Sequence, residues 1–220
     1  MINAVAFQAP NSPVTEAYRA IAAGVCGADT NGALKTIMIT SVAPGSGKTT
    51  VAVNLAIVMA QMGGKVLFVD GNPFHPATQE IFGLKTQGLF DCIASGGELS
   101  SFRQTTAQSG LDFVPAGIAA PLAISPEVMR RMLGALEPGY DYILLDAASV
   151  FESASALSYA SAADGIILVV ASREDRPKDA RLAKKRLAQT RTPILGCVLN
   201  RVYVDNDYHG YYRKQDGFNQ

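Results

Sequence analysis

Tryptophan is absent from this 220-residue chain, cysteine occurs three times and histidine twice. The net charge is zero, because 19 Lys and Arg balance 19 Asp and Glu. The missing tryptophan decides nothing. Cys26, Cys92 and Cys197 are scattered, odd in number and without a Cys-x-x-Cys pair. They give neither a disulfide framework nor a zinc site and fit a reducing compartment. His75 and His209 are too few for a zinc cluster, which leaves His75 a loop or packing role. Zero net charge argues against bulk electrostatic binding of nucleic acid. No run approaches the ~18 apolar residues of a membrane span. No basic segment at the N-terminus leads into an apolar one, so neither a membrane-spanning nor a secreted chain is expected. An apolar content of 48% against 17% charged residues excludes disorder. A chain of this length can bury roughly 70% of its unfolded surface without metals or disulfides, and a single large domain is expected.

Apolar, β-branched runs alternate with longer helix-compatible ones. Strands are expected at Thr36–Thr40, Val66–Asp70, Leu111–Pro115, Tyr142–Asp146, Ile166–Val170 and Ile194–Leu199. Helices are expected at Pro13–Val25, Thr49–Met62, Pro126–Leu136, Ser153–Ala163 and Lys178–Gln189. Ser125-Pro126 is a strong helix start, a capping hydroxyl followed by a residue that needs no amide partner. This rhythm predicts an α/β fold, a doubly wound, predominantly parallel sheet with helices on both faces. Residues 1–202 form one domain in this reading, and 203–220 a polar, tyrosine-rich tail. Charge is uneven: residues 1–146 are net acidic, residues 147–220 net basic. Ala180, Leu182, Ala183 and Leu187 can share an apolar helix face, with Lys184, Lys185 and Arg186 spread over the rest. A solvated face and a docking surface for an acidic partner or lipid headgroups both fit that basic stretch.

The sharpest motif runs from Ser41 to Thr50, between a predicted strand and a predicted helix. Polyphosphate binding needs backbone amides that curl around the anion, a facing helix N-terminus, a cation and a hydroxyl for Mg²⁺. Gly45 and Gly47 allow the curl, Lys48 supplies the cation and Thr49 the hydroxyl, with Pro44, Ser46 and Thr50 as the remaining nucleotide-binding residues of the loop. Val42 stands where such loops usually begin with glycine. The predicted strands at Val66 and Tyr142 both end in an aspartate, Asp70 and Asp146, which puts both carboxylates on the edge where the loop opens. Either one alone reads equally well as a helix cap. Together with the loop they predict a Mg²⁺ site built from Thr49, Asp70 and Asp146. An NAD site fits poorly, since Gly-x-Gly-x-x-Gly is absent and a phosphate-reaching lysine is present.

The ordered series of motifs resembles the cytoplasmic domain of the bacterial tyrosine kinases of capsule and exopolysaccharide biosynthesis, within the deviant-Walker P-loop ATPases. The likeness covers nearly the whole chain. It rests on Ser12–Arg19, the Pro-Gly-x-Gly-Lys-Thr loop with Val53-Asn54-Leu55-Ala56, and Lys65–Pro76. It continues through Gly88-Leu89, Pro115-Ala116-Gly117, Tyr142–Asp146, Gly196–Asn200 and the closing tyrosines. The departures lie close to the chemistry. Asn72 replaces the second acid of an Asp-x-Asp pair, and Phe74 and His75 replace basic residues. Ala147-Ala148-Ser149 replaces Thr-Pro-Pro, and Ala22 stands where the oligomerisation motif begun by Glu16 and Arg19 has another arginine.

The resemblance implies a P-loop NTPase fold, ATP and Mg²⁺ as cofactors, and autophosphorylation on tyrosine. Lys48, Asp70 and Asp146 would be catalytic, with Asn200 reading adenine. Tyr203, Tyr208, Tyr211 and Tyr212 would be the acceptors, phosphorylated in a neighbouring subunit of a homo-oligomer. It further implies ADP as product, other protein-tyrosine substrates and a membrane-anchored adaptor of polysaccharide export. The implied location is cytoplasmic, at the inner face of the plasma membrane through that partner. The alternative is an ATP-binding, nucleotide-switched regulatory or assembly protein with little kinase activity. Asn72 and Ala22 favour that alternative, and the tail favours the kinase.

Overall fold

A computed structural model of the chain describes residues 4–74, 86–119 and 124–202. His75, Pro76, His209 and the four tail tyrosines lie outside them. A seven-stranded sheet carries the fold: β1 (Thr36–Ser41), β2 (Val66–Asp70), β3 (Gln104–Thr105), β4 (Leu111–Val114), β5 (Tyr142–Asp146), β6 (Gly165–Ala171) and β7 (Ile194–Asn200). Their spatial order is β3-β4-β2-β5-β1-β6-β7. Every neighbouring pair is parallel except the short β3–β4 pair, which is antiparallel. The carboxyl ends of six strands therefore share one edge.

Every residue of β1 and β2 is buried, because the sheet is covered on both faces. On one side Met38, Leu67, Leu145 and Leu168 meet Met129 and Leu133 of α5 (Pro126–Gly134), Tyr159 of α6 (Ser155–Ala162), and Ala183 and Leu187 of α7 (Pro177–Leu187). On the other, Ile37, Ile39, Phe68 and Val169 meet Tyr18 and Ala22 of α2 (Pro13–Ala28) and Leu55, Ile57 and Val58 of α3 (Lys48–Gln61). Helix α3 is buried throughout from Val51 to Ala60, as its apolar residues on all sides require. Each large aliphatic side chain there contributes about 1.5–3 kcal/mol relative to exposure. Its one polar exception is satisfied: Asn54 accepts from the Ala6 amide of α1 (Val5–Gln8) at 2.9 Å and donates to Thr50 O at 2.8 Å.

The helix starts follow their capping chemistry. Ser12 and Ser125 accept from the amides of Thr15 and Val128, and each precedes a proline at the first helical position. Three departures from the sequence expectations have physical causes. Leu182 does not share the apolar face of α7: it is exposed, while Ala183 and Leu187 are buried. At 11 residues α7 seats only one narrow stripe on the sheet. Strand β7 is an edge strand with Gly196, Cys197 and Leu199 exposed, so its apolar run does not mark a central position. Ala22 is fully buried against α3, so the helical face begun by Glu16 and Arg19 turns into the core at the next turn. Those two residues pair with each other at 2.9 Å, and Arg19 also donates to Pro10 O.

Two sequence landmarks far apart in the chain meet. Helix α4 (Leu89–Ser95) follows Gly88, and the Leu89 and Phe90 amides donate to the carbonyls of Pro115 and Ala116, both at 2.8 Å. The Asp91 carboxylate gathers the amides of Gly88, Ile118 and Ala119. A Cβ at Gly88 would overlap the Pro115 carbonyl, which the backbone leaves no room to move. Gly88→Ala is therefore expected to lower stability by about 1–3 kcal/mol. In urea unfolding the midpoint should fall with the slope unchanged, and an unchanged midpoint would remove this packing constraint.

Candidate active site

The phosphate loop leaves β1 at Ser41 and enters α3 at Lys48. Its glycines are at the positions that need them: Gly45 and Gly47 have φ of +83° and +89°, a region that side-chain-bearing residues avoid. A Cβ at Gly47 would in addition collide with the Asn200 amide nitrogen. Ser46 is buried, its hydroxyl 2.8 Å from Ala43 O and 2.9 Å from Asp175 Oδ2. Lys48 opens α3 and is only 6% exposed. The Ser41 hydroxyl donates to Ala43 O at 2.8 Å, which folds the start of the loop.

Register places the two carboxylates together. Asp70 and Asp146 are partners across the β2–β5 ladder, both fully buried. Thr49 Oγ1 donates to Asp146 Oδ2 at 2.6 Å. The other oxygen, Asp146 Oδ1, has no hydrogen-bond partner among the described residues. Burial pushes the Asp146 carboxyl up to about 6, opposed by the Lys48 charge and the Thr49 hydroxyl. Asp70 Oδ1 accepts the Asn72 amide at 2.9 Å, and Asn72 Oδ1 accepts the Phe74 amide at 3.3 Å. Asn72 Nδ2 is buried with no partner among the described residues.

These features fit a magnesium-bound nucleotide. Thr49 Oγ1 and the partnerless Asp146 oxygen are hard donors of the kind Mg²⁺ takes. No group of three His, Cys, Asp or Glu forms a cage among the described residues. A magnesium ion held here by Thr49 and Asp146 would need phosphate and water for the rest of its shell, as is usual for that ion.

Asn200 lies at the end of β7, and its Nδ2 donates to Ser46 O at 2.9 Å. The family resemblance implies an adenine contact for Asn200, and the fold sets its amide on the phosphate loop. Pro44 and Gly45 are exposed at the loop's rim, whereas Thr50 turns its carbonyl into α3. Two side chains here went unnoticed in the sequence. Tyr159 of α6 packs against Gly71, where an added Cβ would come within 2.8 Å of its ring. Burial, and secondarily the Asp70 charge, holds its hydroxyl well above the usual tyrosine range. Asp175 belongs to no motif and sits 129 residues from Ser46.

A family profile described as an AAA domain matches residues 34–175. Over 99% of its length the chain is 31% identical to the tyrosine-protein kinase YwqD of Bacillus subtilis strain 168, covering 94% of that protein. The chain belongs to the bacterial tyrosine kinase family. It is thus an enzyme of the tyrosine-kinase type within the P-loop ATPases, related to the kinases of capsule and exopolysaccharide biosynthesis. The kinase domain of Escherichia coli tyrosine kinase ETK superposes with a TM-score of 0.85 at 26% identity, covering 94% of this chain and 82% of that one. The septum site-determining protein MinD from Pyrococcus horikoshii OT3, complexed with Mg-ADP, superposes at a TM-score of 0.68 and 27% identity. That match covers 79% of this chain and 72% of MinD. A P-loop site of this kind uses ATP and Mg²⁺ in general terms. None of the described helices is long and apolar enough to cross a membrane.

The raised Asp146 carboxyl sets a pH dependence in this kinase. Its folded value, about 6, exceeds the unfolded value of 3.8. Its contribution to stability is thus full below pH ~4 and lost as pH rises through ~6. The loss amounts to about 3 kcal/mol without metal. Asp146→Asn cannot titrate, so metal-free it should gain on the parent by about that amount between pH 4 and pH 7.5. Denaturant unfolding at the two pH values measures the gain, and a constant difference would contradict the burial argument.

Proposed function

We propose that the protein is an ATP-dependent tyrosine autokinase of capsule or exopolysaccharide synthesis, working through the carboxyl edge of its sheet. The observation that carries this reading is the 2.6 Å Thr49–Asp146 contact beside buried Lys48, with Asp70 on the adjacent strand. Phosphoryl transfer demands mainly charge neutralisation and alignment. Lys48 and the loop amides hold the β- and γ-phosphates, and Thr49 and Asp146 hold Mg²⁺. The ion, when bound, neutralises charge that develops on the phosphate oxygens. The Asp70 carboxylate orients the incoming tyrosine hydroxyl and takes its proton as the new phosphorus–oxygen bond forms and ADP leaves. Asn200 is the proposed adenine reader: beside its bond to Ser46 O, its amide keeps a second N–H and an oxygen that suit a purine edge.

Tyr203, Tyr208, Tyr211 and Tyr212 are the proposed acceptors. Transfer would run in trans, onto residues 203–220 of a neighbouring subunit. A homo-oligomer and a membrane-anchored adaptor complete the proposal, with the domain at the cytoplasmic face and Glu16 and Arg19 contributing to the contact between subunits. A nucleotide-switched regulator with little kinase activity is the second reading. Asn72 supports it, since a buried amide stands where a second carboxylate would assist and cannot take a proton near neutrality.

Mixing two chains separates these readings. One carries Lys48→Met with its tail intact, and the other is active but has all four tail tyrosines replaced by phenylalanine. Radiolabel from ATP should appear on the Lys48→Met chain, at residues 203–220, and the label should increase with Asn72→Asp in the active chain. Tight ATP binding with no label on either this chain or the parent, even with the adaptor present, would replace the kinase by the switch.

A further inference from the structure

Ser46 is held at two points by the far side of the sheet. Its carbonyl accepts from Asn200 Nδ2 at 2.9 Å, and its hydroxyl lies 2.9 Å from Asp175 Oδ2. The two anchors are themselves joined. Ala171, the last residue of β6, pairs with Asn200 in the ladder and donates its amide to the same Asp175 oxygen at 2.6 Å. The Ser172 amide donates to Asn200 O at 2.8 Å, and the Asp175 amide to Ala171 O at 3.0 Å. The loop residue at the centre of the nucleotide site is thus fixed to the turn between β6 and α7 and to the end of β7.

This clamp bears directly on anion binding. In a trans peptide the carbonyl and the following N–H point in opposite directions. Pinning the Ser46 carbonyl onto Asn200 therefore turns the Gly47 N–H away from β7, towards the concavity of the loop. The Ser46 hydroxyl has one proton and two acceptors in range, Ala43 O at 2.8 Å and Asp175 Oδ2. Without Asp175 that proton goes wholly to Ala43 inside the loop, and the loop loses its side-chain tie to β6. A phosphate would then have to order the loop as it binds, at a cost in affinity.

We propose that Asp175 is a positioning residue for the nucleotide: through Ser46, and together with Asn200, it holds the phosphate loop in its anion-binding shape before ATP arrives. This deepens the proposed function, since it rests on the loop being the nucleotide site. Asp175 touches the loop through its side chain alone, and Asn would offer the same two donors, Ser46 Oγ and Ala171 N, an acceptor oxygen.

Calorimetry with Mg–ADP tests this on the full chain, with apo thermal midpoints recorded alongside. Asp175→Ala should weaken Mg–ADP binding by about tenfold. In turnover the loss should appear as a raised KM for ATP with kcat changed less. Asp175→Asn should stay within about twofold of the parent. Ser46→Ala should weaken binding as Asp175→Ala does, and the double variant should be no weaker than either single one. A merely structural role would lower the midpoint and leave affinity measured well below it unchanged. Should Asp175→Ala not fold, Ser46→Ala cuts the same contact from the other side, and parental affinity there overturns the inference. Parental affinity in Asp175→Ala, equal losses in the Ala and Asn variants, or additive losses in the double variant also overturn it. Lys48→Ala separates the two levels. If it abolishes binding while the Asp175 variants bind as the parent does, only the positioning role falls. If the parent itself does not bind Mg–ADP, the nucleotide reading falls with it.

Discussion

A carboxylate buried in full, with one oxygen on the Thr49 hydroxyl and the other without a partner among the described residues, sets the terms for this structure. Burial without complete pairing is costly for a charged group, and the fold answers by raising the Asp146 carboxyl to about 6. A cation bound there, as proposed, would favour the charged form of Asp146. The surrounding architecture serves that point: parallel strands deliver Asp70 and Asp146 to one edge, and the β1–α3 turn delivers Lys48 and Thr49 to the same place.

The sheet's other half meets the phosphate loop rather than the two aspartates. The turn after β6 and the end of β7 reach the loop through Asp175 and Asn200, both of which bond to Ser46. The edge position of β7 leaves Leu199 and Val202 exposed just before the tyrosine-rich segment. The Asn200–Ser46 bond ties the phosphate loop to the last residue of β7.

Much of this was legible in the amino-acid sequence, for reasons specific to particular elements. Central parallel strands are buried on both faces, so Val66–Asp70 and Tyr142–Asp146 read as unbroken apolar runs ending in acid. Ser12-Pro13 and Ser125-Pro126 announce helix starts by local chemistry alone. Elements held by distant contacts were not legible. The two-residue β3 has no pattern of its own and exists through its pairing with Asp112 and Phe113. The short α4 depends on carbonyls of residues 115 and 116. Ile194–Leu199 has the composition of a central strand, and only the topology makes it an edge. The site divides the same way. Lys48 and Thr49 are adjacent and belong to a motif, whereas Asp175 and Tyr159 become neighbours of the site only after folding, with no spacing that marks them.

The magnesium site proposed at Thr49 and Asp146 stands at the mouth of the nucleotide-binding loop. Titrating ADP with and without Mg²⁺ into the parent and into Thr49→Val tests it most directly. Mg²⁺ should tighten ADP binding in the parent, and that enhancement should vanish in Thr49→Val while metal-free affinity stays near parental. An enhancement of the same size in both proteins would contradict it.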